Sequence, residues 1–460
     1  MYCRLTNNSD LIACFKGDEL SLGNFYVIYQ KHEHQIVALL PLRIYQFHHD
    51  LNALDLYQRV NNTDYSREFV VLDNESPIAY LNSELNNFAA KIQSYDTPFF
   101  RGGLIGAASF EGLSQLLDIE ITDAAVPPLV FGMFDTYLIK NVITNEVHIV
   151  NADCNHEKIS GFLERLKKNN HHNEFFADNV LTPFSEFHRN ASEDSHGKET
   201  FYKRVEIIKE NLRKGNSFQT VLSHKYHRIQ KSSPFDTFSK LYRHHSTYKF
   251  IAKFFDIYIA GISPENLFVL DQQGVVRMTP LAGTRALTDD PVANKAYEED
   301  LLSCEKENAE HTMLVDLARN DLGMACEDGS VVVERYRYIE YCKDVMHLAT
   351  DITGKLARDK TALDLMRAAS PAGTMSGAPK IRSINIIQEV EDGARGFYSG
   401  NIGFVNFDGS ADFSIIIRSV TFADNRVHLR AGAGIVLDSV AEDEYEECLR
   451  KMYSCGKEIA

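Results

Sequence analysis

Residues 167–197 form a polar, patternless interval in a chain of 460 residues, with runs such as Lys167-Lys168-Asn169-Asn170 and Ser192-Glu193-Asp194-Ser195. Nothing in it carries the period of a helix or a strand, so the chain is expected to divide there. A front region, 1–190, then precedes a second region, 198–460, with the interval as linker. The front region reads as short β-like runs at 25–29, 35–40, 69–72 and 146–150, separated by polar turns. Its glycine-rich spot, 101–106, lacks the strand and helix that flank a nucleotide-binding loop and reads as a tight bend in a sheet. The second region opens on a helix, because Tyr202, Val205, Ile208 and Leu212 recur at helical spacing and Gly215 stands where a C-terminal cap would. Beyond it, glycines and charged residues are set inside apolar segments. The chemistry is expected there.

With 44% apolar, 24% charged and 11% aromatic residues the chain is a globular one, neither disordered nor fibrous. At about 150 residues per domain it holds two or three domains or one composite domain. The formal charge of −16 disfavours nucleic acid and anionic lipid as partners, so an anionic ligand needs a locally built positive site. Eight cysteines without a C-x-x-C pair indicate neither a disulfide framework nor a zinc knuckle, and fit a reducing cytoplasm. The first ten residues carry no apolar signal core, and no run approaches the roughly 18 apolar residues of a membrane span.

Residues 299–322 have no proline or glycine and read as one long helix. On it Glu307 and Glu310 are three apart and share a face, which costs stability unless a cation or water offsets it. Glu444 and Glu447 repeat the pattern on a later helix, and Lys451 continues that face. Each pair alone is the solvated face of a helix or half of a divalent-metal site, and oxygen ligation of that kind suits Mg2+. The small residues and two prolines of 371–380 preclude regular helix or central strand and offer hydroxyls at Thr374 and Ser376. Gly432, Ala433 and Gly434 follow a strand-like run. Either segment is a tight turn or a backbone cradle for an anion. Arg418, in the apolar strand expected at 413–420, requires an anion, either a protein carboxylate or a ligand carboxylate. Tyr398, between glycines, has a phenol available for a further hydrogen bond.

These segments, with 261–265, 280–285, 309–323 and 395–400, resemble in content and order the chorismate-utilising enzymes of the anthranilate synthase component I type. The resemblance covers roughly residues 200–460 and is weaker before 190, where it rests on 101–106 and 126–135. It implies an α+β fold of antiparallel sheets wrapped by helices, with chorismate and Mg2+ in a central cleft. By position, Glu310 and Glu447 resemble the metal ligands and Glu307 and Glu444 their support. Arg418, Tyr398, Lys451 and the amides of Gly432, Ala433 and Gly434 resemble the groups that bind the substrate carboxylates. Thr284 and Thr374 resemble the lining of the ring site, Glu265 the acid that protonates the departing hydroxyl, and His347 a residue placed near the transferred atoms. Met324 stands where relatives usually have arginine.

Two positions discriminate among members of this group. Isochorismate and salicylate synthases carry a lysine base where this chain has Gln219, and an amide cannot deprotonate water. Aminodeoxychorismate synthases typically carry a nucleophilic lysine where it has Ala282. With both lysines missing, ammonia is the expected nucleophile, and anthranilate with pyruvate the expected product, the first step of tryptophan biosynthesis. Ammonium has no lone pair, and no cysteine here sits in the G-x-C-x-G-like turn of a glutaminase. The resemblance therefore implies a separate glutamine amidotransferase subunit. The alternatives are an aminodeoxychorismate or aminodeoxyisochorismate synthase component, an isochorismate or salicylate synthase, and a silent chorismate-binding subunit.

Overall fold

Apolar residues on both faces of a strand demand cover on both sides, and the run 25–29 shows how it is met. In a computed structural model of the chain the described residues are 2–6, 24–60, 64–92, 97–121, 123–151, 184, 187–188, 197–342 and 345–458. Strand Phe25–Lys31 sends Phe25, Val27 and Tyr29 into one core and Tyr26 and Ile28 into another. The first core lies between two large sheets and includes Phe134, Phe250 and Phe404. The second lies between one sheet and the helices Gly197–Arg213, Pro234–Leu241 and Ala441–Gly456. A third packs the other sheet against Pro77–Ala89, Glu305–Gly323 and Ala362–Ala369. The result is two sheets face to face with helices on each outer face, the α+β architecture expected.

The sheets have eleven and twelve strands, and every pairing among the described residues is antiparallel. Both draw on either side of the 167–197 interval. Phe25–Lys31 lies between His34–Leu39 and Tyr248–Phe254, with Tyr29 opposite Phe250. Gly103–Ala108 lies between Leu129–Phe134 and Asn401–Asn406, with Gly106 opposite Gly403. On the other side the approach to Leu129–Phe134 is close: a Cβ on Gly106 would lie 2.1 Å from the Val130 carbonyl oxygen. The interval itself lies outside the described residues apart from Phe184, Phe187, His188 and Gly197.

Local expectations meet the structure with small shifts and two corrections. The early strands occupy His34–Leu39, Tyr65–Val71 and Glu146–Asn151, and Gly102 takes φ +82° just before Gly103–Ala108. Helix Gly197–Arg213 buries Val205, Ile208 and Leu212 as expected, but Phe201 in place of Tyr202, which is only half-buried, with Gly215 at φ +74° beyond it. The single helix expected at 299–322 is two, Pro291–Ser303 and Glu305–Gly323, broken at Cys304. A straight rod cannot serve both cores: Leu301 packs on Met346 and Leu348, whereas Val315, Ala318 and Leu322 pack under the second sheet. Residues 371–380 include a helical turn, Gly373–Ser376, and a two-residue strand, Gly377–Ala378, pairing with Gln219 and Thr220. Gly432, Ala433 and Gly434 are the continuing end of strand Arg426–Ile435, paired with Ser223, Leu222 and Val221.

Candidate active site

The chain passes between the two sheets at residues 262–265, from Ile257–Gly261 to Asn266–Leu270, and returns at 416–418, from Ala411–Ile415 to Ser419–Ala423. The two crossings run side by side: Ile262 N–H donates to the Arg418 carbonyl at 3.1 Å and Ile415 N–H to that of Glu265 at 3.2 Å. Glu265 and Arg418 are therefore placed by the seam between the sheets. Arg418 is not in a strand, as expected from its apolar neighbours, but at φ +49° in the turn between two strands. Few residues other than glycine take that conformation, and it marks a constrained position.

What surrounds Arg418 is a surface of donors. Among the described residues no carboxylate forms an ion pair with its guanidinium. Burial pulls its pKa down, against Cys455, Tyr398 and Glu447 nearby. Tyr398 is buried, and burial pushes its phenol pKa up, so the hydroxyl stays a donor. That oxygen would lie 3.0 Å from a Cβ on Gly432, so a side chain there would have to push strand and phenol a few tenths of an ångström apart. Strand Ser419–Ala423 pairs Arg426–Ile435 only as far as Leu429. Beyond it, Gly432, Ala433 and Gly434 keep Gln219–Ile229 on one side and have no strand on the other. In an antiparallel strand alternate N–H groups face that open side. Gln219 packs on the same strand, its Nε2 2.4 Å from where a Gly434 Cβ would be. Lys451 reaches over from helix Ala441–Gly456, donating to the Gly432 carbonyl at 2.9 Å and pairing with Glu447 at 2.6 Å.

Glu265 accepts a 2.9 Å hydrogen bond from the Thr374 hydroxyl. Burial pushes its pKa up to about 7, although Thr374 and the Lys451 charge pull the other way. A carboxyl so tuned keeps its proton near neutral pH and can donate it. His347, on strand Val345–Lys355, lies 3.0 Å through Nδ1 from the Gly283 carbonyl and 3.1 Å from the Thr284 hydroxyl. Its pKa is lowered by burial, so the ring is neutral; donation from Nδ1 to Gly283 leaves the lone pair on Nε2. Thr284 and Ala282 flank Gly283, which takes φ +59° at an irregularity in strand Leu281–Ala286; Ala282 pairs with Leu348.

The four glutamates come from two helices distant in sequence. Glu310 has its pKa pushed up to about 7, first by burial and then by the like charges of Glu307, Glu444 and Glu447, against Lys306. Glu444 is raised too, chiefly by burial. Glu307 is held by Arg285 at 3.3 Å. Carboxylates that raise one another's pKa in this way are what a cation relieves. Among the described residues no three His, Cys, Asp or Glu side chains already converge on one point. Mg2+ needs no such cage, because it keeps several waters and takes one or two carboxylates, so the donor set fits it.

Sequence reasoning gave no role to Glu391, Arg395 and Arg430, nor to the buried Lys380–Asp321 pair at 2.8 Å. Glu391 and Arg395 are four residues apart, a spacing usually seen in solvent-exposed pairs, and nothing in composition marks them as buried.

Residues 43–456 match the family model described as chorismate binding enzyme. The chain is 36% identical over 378 residues to anthranilate synthase component 1 of Acetivibrio thermocellus, covering 79% of this chain and 76% of that one. To the Lactococcus lactis protein of the same name it is 33% identical over 427 residues, covering 90% and 92%. The crystal structure of anthranilate synthase component I from Streptococcus pneumoniae superposes with a TM-score of 0.75 at 30% identity, covering 92% of each chain. The seam between the sheets thus carries its acid, its cation and its glycine edge within a known lineage: this chain belongs to the chorismate binding enzyme family, in its anthranilate synthase component I group.

Proposed function

We propose that the chain converts chorismate and ammonia to anthranilate, pyruvate and water, with Mg2+ as cofactor, as the first step of tryptophan biosynthesis. The observation that carries this reading is Arg418. It is a half-buried cation with no carboxylate partner among the described residues, beside the Tyr398 phenol and the open edge of Gly432, Ala433 and Gly434. Chorismate has two carboxylates, and a guanidinium grips a carboxylate through parallel hydrogen bonds. Lys451 adds positive charge on the same side. Glu265 protonates the ring hydroxyl as it leaves carbon 4 while ammonia attacks carbon 2, which contributes about 10²–10⁴-fold. Thr374 orients that acid. His347, neutral and with Nε2 free to accept, is suited to take a proton from the attacking nitrogen or from carbon 2 during pyruvate loss. Glu310 and Glu447, supported by Glu307 and Glu444, would hold the metal, which would supply Lewis-acid polarisation of the substrate's ring carboxylate.

Ammonia is favoured over water by Gln219, which cannot act as a base, and over a covalent lysine route by Ala282. A glutamine amidotransferase subunit supplies it, and the pair works in the cytoplasm. The free thiols of Cys304, Cys326, Cys342, Cys448 and Cys455 suit that compartment. Among the described residues no helix is long and apolar enough to cross a membrane.

Incubating the purified chain with chorismate, Mg2+ and ammonium salt at high pH should give fluorescent anthranilate and equimolar pyruvate. An aminated product without pyruvate would replace this reading by aminodeoxychorismate or aminodeoxyisochorismate synthesis. Isochorismate or salicylate would refute the choice of nucleophile. Binding without consumption would leave a silent subunit.

A further inference from the structure

Glu391, Arg395 and Arg430 form a buried charge cluster, with side chains 3%, 1% and 8% exposed. Arg395 grips Glu391 at 2.6 and 2.9 Å, and Arg430 reaches the same carboxylate at 2.7 Å. Such a triad is a poor stabiliser, since desolvating three charges cancels most of what their attraction returns. Its remaining hydrogen bonds are more telling. Arg395 donates to the carbonyls of Val221 and Met375, both at 2.8 Å, and to the Ser399 hydroxyl at 3.3 Å. Glu391 accepts from the amide and the hydroxyl of Ser223 at 2.7 and 2.9 Å. Arg430 donates to Ser223 Oγ at 3.0 Å and to the Ala394 carbonyl at 3.2 Å.

Apart from the Ala394 carbonyl, each of these atoms belongs to a segment bearing a site residue. Val221 and Ser223 follow Gln219; Met375 follows Thr374; Ser399 follows Tyr398; Arg430 stands two residues before Gly432. Glu111, from helix Phe110–Gln115 in the front region, fixes the same turn by accepting from the amides of Arg395 at 2.7 Å and Gly396 at 3.0 Å.

We infer that the Glu391–Arg395–Arg430 triad is a positioning device: without touching the substrate, it sets the spacing of Gln219, Thr374, Tyr398 and Gly432 around it. The inference rests on the substrate site proposed above. Guanidinium forks suit the task because one planar group holds several acceptors at fixed angles, which an ammonium cannot do. Errors of about 1 Å at a reacting centre cost about 100-fold in rate.

The test is Arg430→Lys, which keeps the charge and loses the fork, with Ser223→Ala as a milder variant that stands in if Arg430→Lys does not fold. A positioning role predicts a rise in KM for chorismate of about 10-fold or more and a lower kcat in chain that melts normally. It also predicts that Arg430→Lys and Tyr398→Phe together cost less than the sum of their separate effects, because both act at the Gly432 edge. An unchanged KM, activity lost only in proportion to unfolded chain, or strict additivity would overturn it. Calorimetric titration with chorismate reads the same shift in affinity without turnover. If the unaltered chain makes another product, the proposed reaction fails while the affinity comparison still judges the triad.

Discussion

As the general acid proposed above, Glu265 works under two opposing requirements. As an acid it must hold its proton, whereas the ammonia it serves must lose one. Burial raises the Glu265 pKa to about 7. At fixed total ammonium, activity should climb as pH rises toward 7 while free ammonia increases. It should then level off, because each further gain in ammonia is cancelled by loss of the carboxylic acid, and fall once ammonium is fully deprotonated. With Glu265→Gln the amide holds no transferable proton, so the rate should drop by about 10²–10⁴-fold. A pH series of initial rates at saturating chorismate checks both, and a profile still climbing steadily above pH 7 would assign the acid elsewhere. Glu265 and Thr374 were legible as chemistry-bearing residues through the family pattern, but not their 2.9 Å contact. They are 109 positions apart, and no spacing rule spans that separation.

Between single residues and the whole stands the two-residue strand Gly377–Ala378, which ties the turn bearing Thr374 to the strand bearing Gln219. Gly377 takes φ +122°, and a Cβ there would lie 2.2 Å from the Gln219 carbonyl oxygen. Gly377→Ala should therefore cost about 3 kcal/mol through backbone strain and overpacking. Denaturant titration would show it as an earlier midpoint; an unchanged midpoint would mean that the turn is not anchored here. Elements were readable where one periodic face met one core, as in helix Gly197–Arg213. They were misread where the chain serves two partners. The break at Cys304 arises because successive helices pack on different cores, and Arg418 leaves its strand because the chain is changing sheets there. Glu391 and Arg395 were missed for a related reason: their burial comes from strands and turns remote in sequence.

At the scale of the molecule, two helices from different parts of the chain bring Glu310 within electrostatic reach of Glu307, Glu444 and Glu447, and the metal site proposed for them predicts a fold that gains from a cation. Mg2+ at about 100 times its Kd should add about 2.7 kcal/mol and raise the melting temperature, and a chelator should reverse it. Glu310→Gln should melt higher than the unaltered chain without metal and gain little from adding it. Equal gains in both proteins would remove Glu310 from the metal site. Nothing in either helix alone announces their meeting, which depends on the order of strands in the sheets. That order also shapes how the protein is born. Strand Phe25–Lys31 is completed in the sheet by Tyr248–Phe254, and Gly103–Ala108 by Asn401–Asn406. At ordinary translation speeds the earlier strand of each pair waits roughly ten to sixty seconds for its neighbour to leave the ribosome. Throughout that delay its unpaired edge can recruit a stranger, so production in cells should depend on chaperones that bind nascent chains.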